Sequence, residues 1–115
     1  MVDPEKLSPR VLHQLADQAN DVVLSAVSGL EIALKYRMGR LVLDRQPSVL
    51  VSDAVGRLDI SVLPVSMAHG IYAGGLPMHH KDPFDRLLIA QAEIEELILV
   101  SPDIALQAYN VEMLW

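Results

Sequence analysis

Hydrophobic positions along the chain form short, continuously apolar runs separated by stretches with helical spacing. The runs "VVLSA" at 22–26, "DISVLPV" at 59–65 and "LILVS" at 97–101 have the length and composition of strands, and "VEMLW" at 111–115 predicts a closing strand. Short strands that are apolar on both faces are typical of parallel sheets covered by helices. The pattern therefore predicts an α/β sandwich with a mainly parallel sheet.

The segments between these runs carry helix start and stop signals. A serine, an aspartate or a proline opens most of them, and glycines close two. The predicted helices are 8–15, 29–38 with Ser25 or Ser28 as its cap and Gly39 as its stop, 47–57, 66–73 broken by "GGLP", 82–96, and a short one from Pro102.

The stretch "HHKDPFDRLLIAQAE" at 79–93 is the most unusual part of the chain. Asp82 is a natural N-cap because Pro83 follows it, and the helix behind it has so few polar positions that we expect it to be largely buried. Asp85 adds a second acid only three residues further on. The adjacent histidines, His79 and His80, lack the rest of a metal-binding cluster and predict a flexible access loop.

Composition bounds the class of protein. The 115 residues fit a single domain, 1–115. The chain contains no cysteine, which excludes disulfides and thiolate metal sites and agrees with a cytoplasmic location. It has neither a secretory signal pattern nor an apolar run of the ~20 residues that a membrane span requires, so we expect a soluble protein.

Charge is unevenly distributed along the sequence. The net charge of −6 argues against a protein that coats duplex nucleic acid. Four bases nevertheless lie between residues 35 and 45, and six acids lie between residues 82 and 103. An acidic pocket beside a basic strip would suit a metal-dependent enzyme that acts on a phosphate backbone, although two ordinary solvated faces explain the same pattern.

Three acids lie near predicted strand exits or helix starts, where functional crevices of parallel sheets form. Glu31 follows the first strand, Asp85 lies in the first turn of the buried helix, and Asp103 follows "LILVS". Together they could bind Mg²⁺ or Mn²⁺, which prefer oxygen ligands. Taken singly, each has a structural explanation: an i,i+4 pair of Glu31 with Lys35, a favourable acid at a helix N-terminus, and a helix-start residue.

Several motifs resemble one family. "SAVSGLEIALKYRMGRL", "LPMHHKDPFDRLLIAQA", "LVSPD" and "YNVEMLW" resemble the PIN-domain ribonucleases, specifically the VapC-type toxins of prokaryotic toxin–antitoxin pairs. The likeness covers nearly the whole chain. One departure is Leu30, where the family often has tryptophan before the glutamate.

The resemblance implies a fold and a chemistry. The fold would be a three-layer α/β/α sandwich, and Glu31, Asp85 and Asp103 would hold the Mg²⁺ or Mn²⁺ ion that activates water against an RNA phosphodiester. Asp82 would be an accessory acid and Ser101 an orienting hydroxyl. The basic strip would contact RNA through Lys35, Arg37 and Arg40. A cognate antitoxin and a second copy of the chain would be its protein partners.

The family also has an N-terminal central strand that ends in the first catalytic aspartate, and nothing in "MVDPEKLSPR" matches it. We therefore expect this strand and this acid to be missing, with weak or no ion binding. An inactive truncated nuclease, a sheet that closes by pairing "VVLSA" directly with "LILVS", and a vacancy covered by another chain all remain open. The alternative functions are a non-catalytic module that binds an antitoxin or itself, and a plain acidic α/β domain.

Overall fold

A computed structural model describes residues 21–100, 104–109 and 111–114. The elements follow in the order β1 (Val23–Ser25), α1 (Ala26–Arg37), α2 (Pro47–Leu58), β2 (Ser61–Leu63), α3 (Met67–Gly75), α4 (Pro83–Ile94), β3 (Leu99–Val100), a 3₁₀ helix (Ile104–Ala108) and β4 (Met113–Leu114). The helix predicted at 8–15 lies outside the described residues. The other predicted helices and strands are confirmed within a few residues, so the α/β class is confirmed.

The described strands form two separate parallel pairs. β1 pairs with β2, with Val23 opposite Ser61, and β3 pairs with β4, with Leu99 opposite Met113. Parallel pairing is therefore confirmed. The prediction of one continuous sheet is wrong for the described residues, and so is direct pairing of β1 with β3, because each belongs to a different pair.

A mostly apolar cleft of about 270 Å³ separates the two pairs. β1 and β3 supply facing walls, and Ile32 and Leu88 add apolar side chains from the helices. Val23 in β1 is 36% exposed, so the prediction of a fully buried first strand is wrong. Val23 is exposed because β1 has no hydrogen-bonded strand on the side of the cleft. The residues across the cleft belong to the β3–β4 pair and do not cover β1 as a neighbouring strand would.

Gln91, a buried residue of α4, connects the β1–β2 pair to the rest of the fold. Its Oε1 accepts a hydrogen bond from the Ser25 hydroxyl at the end of β1, and its Nε2 donates to the carbonyl of Pro64, just after β2 (3.3 Å). A buried amide requires such partners, since leaving it unsatisfied costs free energy. Gln91 thus holds the ends of both strands against α4.

Local sequence explains where α1 and α2 begin and end. The Ser25 hydroxyl accepts a hydrogen bond from the Val27 N–H (3.1 Å), which identifies Ser25 as the cap of α1. Gly39, with φ of 73°, takes the left-handed conformation predicted for the stop. Pro47 opens α2, and Asp59 ends it at φ 54°, a conformation that aspartate tolerates better than most residues.

Helix α3 corrects one expectation. The glycines of "GGLP" were predicted to break it, yet the helix continues through Gly75 and ends only at Leu76. Its start is held by a capping box in which the Ser66 hydroxyl accepts from the His69 N–H and His69 Nδ1 accepts from the Ser66 N–H (2.9 Å). This leaves His69 Nε2 to donate to Glu95 at the end of α4 (3.0 Å).

Helix α4 packs against α3 and against the C-terminal elements. Six of its residues are buried, as predicted for this apolar helix. Ile89 is fully buried and forms the core with Leu76, Leu106 and Tyr109. On the α3 side, a hydrogen bond to Glu93, together with burial and the charge of that carboxylate, raises the pKa of Tyr72.

No helix in the described ranges is long and apolar enough to span a bilayer.

The end of α4 turns the chain directly into β3. Glu96 adopts a left-handed conformation (φ 55°), and the N–H of Leu97 donates to the carbonyl of Ala92 (2.9 Å). This is the hydrogen bond of a Schellman motif, which closes a helix and reverses the chain. It allows a strand to follow the core helix within a few residues.

The core predicts a strong difference between two isoleucines. Ile89→Ala should lower the free energy of unfolding by about 2–5 kcal/mol, because it removes a fully buried side chain and leaves a cavity. Ile71→Ala, at a helical position that is 70% exposed, should change it by less than about 0.5 kcal/mol. Urea denaturation followed by circular dichroism measures both. Similar losses for the two variants would contradict the location of the core.

Candidate functional site

The first turn of α4 carries the two acids of the opening motif. Asp82 is the N-cap: its Oδ1 accepts hydrogen bonds from the N–H groups of Phe84 (2.9 Å) and Asp85 (3.4 Å). Asp85 is half-buried in the first turn, where the positive end of the helix dipole stabilises a carboxylate. The structure therefore confirms the predicted cap and gives the second acid a different environment from the first.

The carboxylate of Asp85 contacts the imidazole ring of His80. The distance from His80 Nε2 to Asp85 Oδ2 is 2.8 Å, and both side chains are about three-quarters buried. The other ring nitrogen, Nδ1, lies 3.5 Å from the backbone nitrogen of Asp82, at the limit of a hydrogen bond. The acid is thus held by a histidine from the loop that precedes the helix.

Arg86, the next residue of α4, is buried and holds that loop by its backbone. Its guanidinium donates to the carbonyls of Ala73 (2.8 Å), Leu76 (2.8 Å), Pro77 (3.0 Å) and His80 (3.1 Å). Burying a guanidinium is costly unless its N–H groups find acceptors, and the planar fork of arginine reaches several at once. Arg86 therefore fixes the end of α3 and the loop 76–80 to the start of α4.

Tyr109, at the end of the 3₁₀ helix, completes the same network. Its hydroxyl accepts from the His80 N–H (2.8 Å) and donates to the carbonyl of Pro77 (2.7 Å). The ring of His79 packs edge-on against the Tyr109 ring, with centroids 5.2 Å apart. The prediction of a flexible access loop did not anticipate this, because hydrogen bonds from two distant side chains hold the loop.

Glu31 lies on α1, half-buried, in the second turn after Ser25. Ser25 is hydrogen-bonded to Gln91 of α4. Glu31 follows Ser25 by six residues and Asp85 precedes Gln91 by six residues, so each acid lies about 9 Å of helical rise from that hydrogen bond. Glu31 and Asp85 therefore lie on different helices, each nearly two turns away from the Ser25–Gln91 hydrogen bond.

The basic strip is divided by the structure. Lys35 is half-buried near the end of α1, whereas Arg37 and Arg40 are exposed. Arg45 pairs with Asp53 of α2 (3.4 Å) and approaches Asp44. The other three cationic side chains of this strip are Lys35, Arg37 and Arg40.

Two predicted site residues, Ser101 and Asp103, lie outside the described residues. Among the residues that are described, no group of three histidine or acidic side chains is placed to hold a metal ion. The donor types still suit a hard cation, since Glu31 and Asp85 offer carboxylate oxygens and Asp85 has the outer hydrogen bond that ligating carboxylates commonly receive. Glu31 and Asp85 would need at least one further ligand to form a metal centre.

Sequence reasoning missed His80, Arg86 and Tyr109. Arg86 carried a usable signal: it is the one base in a helix otherwise apolar on most faces, which is unusual unless the charge has buried partners. Tyr109 carried none, because its partners lie about thirty residues away along the chain.

Comparison of the chain with protein-family models, with curated proteins and with solved structures finds no match in any of the three.

The Arg86 network predicts that even a conservative change is harmful. Arg86→Lys should lower the free energy of unfolding by about 2–4 kcal/mol, because an ammonium reaches fewer of the carbonyls and leaves the others buried without a donor. Arg57→Lys is the matched control. Arg57 is mostly exposed, and its ion pair with Asp53 should be worth less than about 1 kcal/mol. Urea denaturation measures the free energy of unfolding of both variants. A decrease of less than about 1 kcal/mol in Arg86→Lys would contradict the conclusion that Arg86 fixes the loop 76–80.

Proposed function

We propose that the chain is a PIN-like domain of the VapC type, a three-layer α/β/α sandwich whose chemistry is metal-dependent hydrolysis of RNA. The observation that supports this most is the start of α4. Asp82 is the cap of this helix, so Asp85 does not serve as the cap, and it contacts His80 instead. An acid that is not the helix cap and that contacts a histidine of the preceding loop suits a ligand-binding role.

In this proposal Glu31, Asp85 and Asp103 hold a Mg²⁺ or Mn²⁺ ion, with Asp82 as an accessory acid and Ser101 as an orienting hydroxyl. When bound, such an ion lowers the pKa of a coordinated water towards neutrality and neutralises charge on the phosphoryl oxygens. Lys35, Arg37 and Arg40 bind the RNA backbone by attraction to its phosphates, which makes binding weaken as salt rises. Three carboxylates are fewer than the resembling family's ring contains, so the ion binds weakly.

The proposal predicts a specific metal dependence. Mn²⁺ at millimolar concentration should support cleavage of single-stranded RNA, and Asp85→Asn should reduce the rate by about 100-fold because it removes a charged oxygen ligand. Asp44→Asn, which neutralises an exposed acid, should leave the rate unchanged. Gel electrophoresis of a labelled RNA measures this.

Cleavage that persists in EDTA or in Asp85→Asn would overturn the proposal. If the chain itself does not cleave, a version extended at its N-terminus by an apolar strand ending in aspartate distinguishes two cases. Activity in the extended version identifies residues 1–115 as an inactive form of the nuclease, whereas inactivity of both excludes the nuclease.

A second candidate is a non-catalytic module that associates with a cognate antitoxin or with another copy of the chain. It is favoured by large apolar side chains that stay exposed on and around α3. Met67 is 79% exposed, Ile71 lies one turn further along the same helix, and Met78 follows in the loop. Patches of this kind mark protein interfaces more often than scattered single residues do.

This candidate predicts a dimer that depends on α3. Light scattering at micromolar concentration should report about twice the mass of one chain, and Ile71→Lys should shift it to the monomer, since a charge in an apolar interface is costly. Arg57→Glu, a charge change at an exposed position of α2, should leave the dimer intact. A cooperatively unfolding monomer in the unsubstituted protein would contradict self-association.

A further inference from the structure

His69, in the first turn of α3, is a buried histidine that the proposed function does not use. Its side chain is 2% exposed, and its Nε2 lies 3.0 Å from a carboxylate oxygen of Glu95 at the end of α4. Glu93, another acid near that end of α4, bonds to Tyr72 of α3 instead. The segment 64–66 before α3 contains no titratable side chain. Glu95 is therefore the charged group that the ring contacts.

The capping box at the start of α3 contains an unusual residue at its second position. In the common form, glutamate or glutamine at the third helical position accepts a hydrogen bond from the N–H of the cap residue. Here His69 occupies that position, and its Nδ1 accepts from the Ser66 N–H (2.9 Å). Because a backbone N–H can only donate, Nδ1 carries no proton, and the proton of the neutral ring is on Nε2, which donates to Glu95.

A second proton on this ring would have opposite effects at its two nitrogens. At Nε2, the positive charge of the ring strengthens the hydrogen bond to the Glu95 carboxylate. At Nδ1, the new N–H faces the Ser66 N–H, and two donors cannot form a hydrogen bond with each other. The side-chain nitrogen of Gln91, 3.5 Å from Nδ1, is a donor as well. Protonation therefore breaks the bond between Ser66 and His69.

We propose that the Ser66–His69 pair is an acid-sensitive latch on the first turn of α3. Histidine is the side chain that ordinarily changes its charge between about pH 5 and pH 8, whereas glutamine at this position would remain an acceptor throughout. The neutral ring keeps the latch closed. When Nδ1 takes up a proton from water, Glu95 stabilises the charged ring and the latch opens.

Opening of the latch would change the surface that α3 presents. Met67 is the first residue of α3, lies between the two latch residues and is 79% exposed. Loss of the capping box loosens this first turn, because it removes an acceptor from one of the N–H groups at the helix start. The latch is independent of the proposed function, since it requires neither an ion nor RNA.

The experiment observes the latch by NMR of ¹⁵N-labelled protein at about pH 8 and about pH 5.5. At the higher pH, a nitrogen–nitrogen coupling across the hydrogen bond should connect the Ser66 amide to His69 Nδ1. At the lower pH, both ring nitrogens should carry protons and this coupling should disappear. Protection of the Ser66 amide from hydrogen exchange, relative to an unfolded chain at the same pH, should fall by about 10-fold.

Two variants separate the latch from other effects of acid. In His69→Gln, the side-chain oxygen can still accept from the Ser66 N–H but gains no proton, so the protection of Ser66 should be equal at the two pH values. Glu95→Gln keeps an acceptor for Nε2 and removes the charge. In that variant the coupling should disappear at a lower pH than in the unsubstituted protein, because the charged ring is less stabilised.

Three results would overturn the latch. They are a ring that stays neutral at about pH 5.5, a doubly protonated ring that keeps its coupling to Ser66, and an equal loss of protection in His69→Gln, which would assign the change to another group. Urea denaturation establishes whether each variant is folded. Should His69→Gln be unfolded, Glu95→Gln decides: loss of the coupling at a lower pH supports the latch, and loss at an unchanged pH overturns it.

Discussion

The buried guanidinium of Arg86 is the interaction on which the rest of the structure depends. Its donors reach carbonyls at the end of α3 and along the loop that follows, so one side chain of α4 sets the path of the residues that lead into α4. A charge can remain at 6% exposure only because these acceptors replace its water. Removing it would free the loop, and with it His80 and the orientation of Asp85.

A second constraint holds the two strand pairs together. Each pair is only two or three residues long, and the apolar cleft lies between them. Gln91 bridges this division, because it binds the end of β1 and the residue after β2 from a helix that also packs on the core beneath β3. The fold therefore relies on side-chain hydrogen bonds where a continuous sheet would use backbone ones, and substitutions at Gln91 should be poorly tolerated.

The sequence predicted what depends on local signals. Ser25, Gly39, Pro47 and Asp82 determine helix ends through their own side chains or backbone freedom, and the structure places each end close to its predicted residue. Prediction from the sequence failed where the structure depends on contacts between residues far apart in the chain. The helix continues through the glycines of α3, where the Arg86 guanidinium donates to the carbonyls of Ala73 (2.8 Å) and Gly74 (3.5 Å). The division of the sheet depends on how strands far apart in the chain meet. Of the candidate site, the acids were predictable as residue types, whereas the contact of His80 with Asp85 was not.

The central proposal is that Glu31 and Asp85 lie together at a single ion-binding site. Because the chain has no cysteine, a pair of introduced thiols can test it without interference. Glu31→Cys with Asp85→Cys should be joined rapidly by a short bifunctional thiol reagent, since ligands of one ion lie within about 5 Å of each other. Ala33→Cys with Asp85→Cys uses the same helix two residues further on, on another face, and should react slowly. Fast joining of the first pair alone is the predicted result; equal rates for the two pairs, or no joining of the first, would contradict the claim.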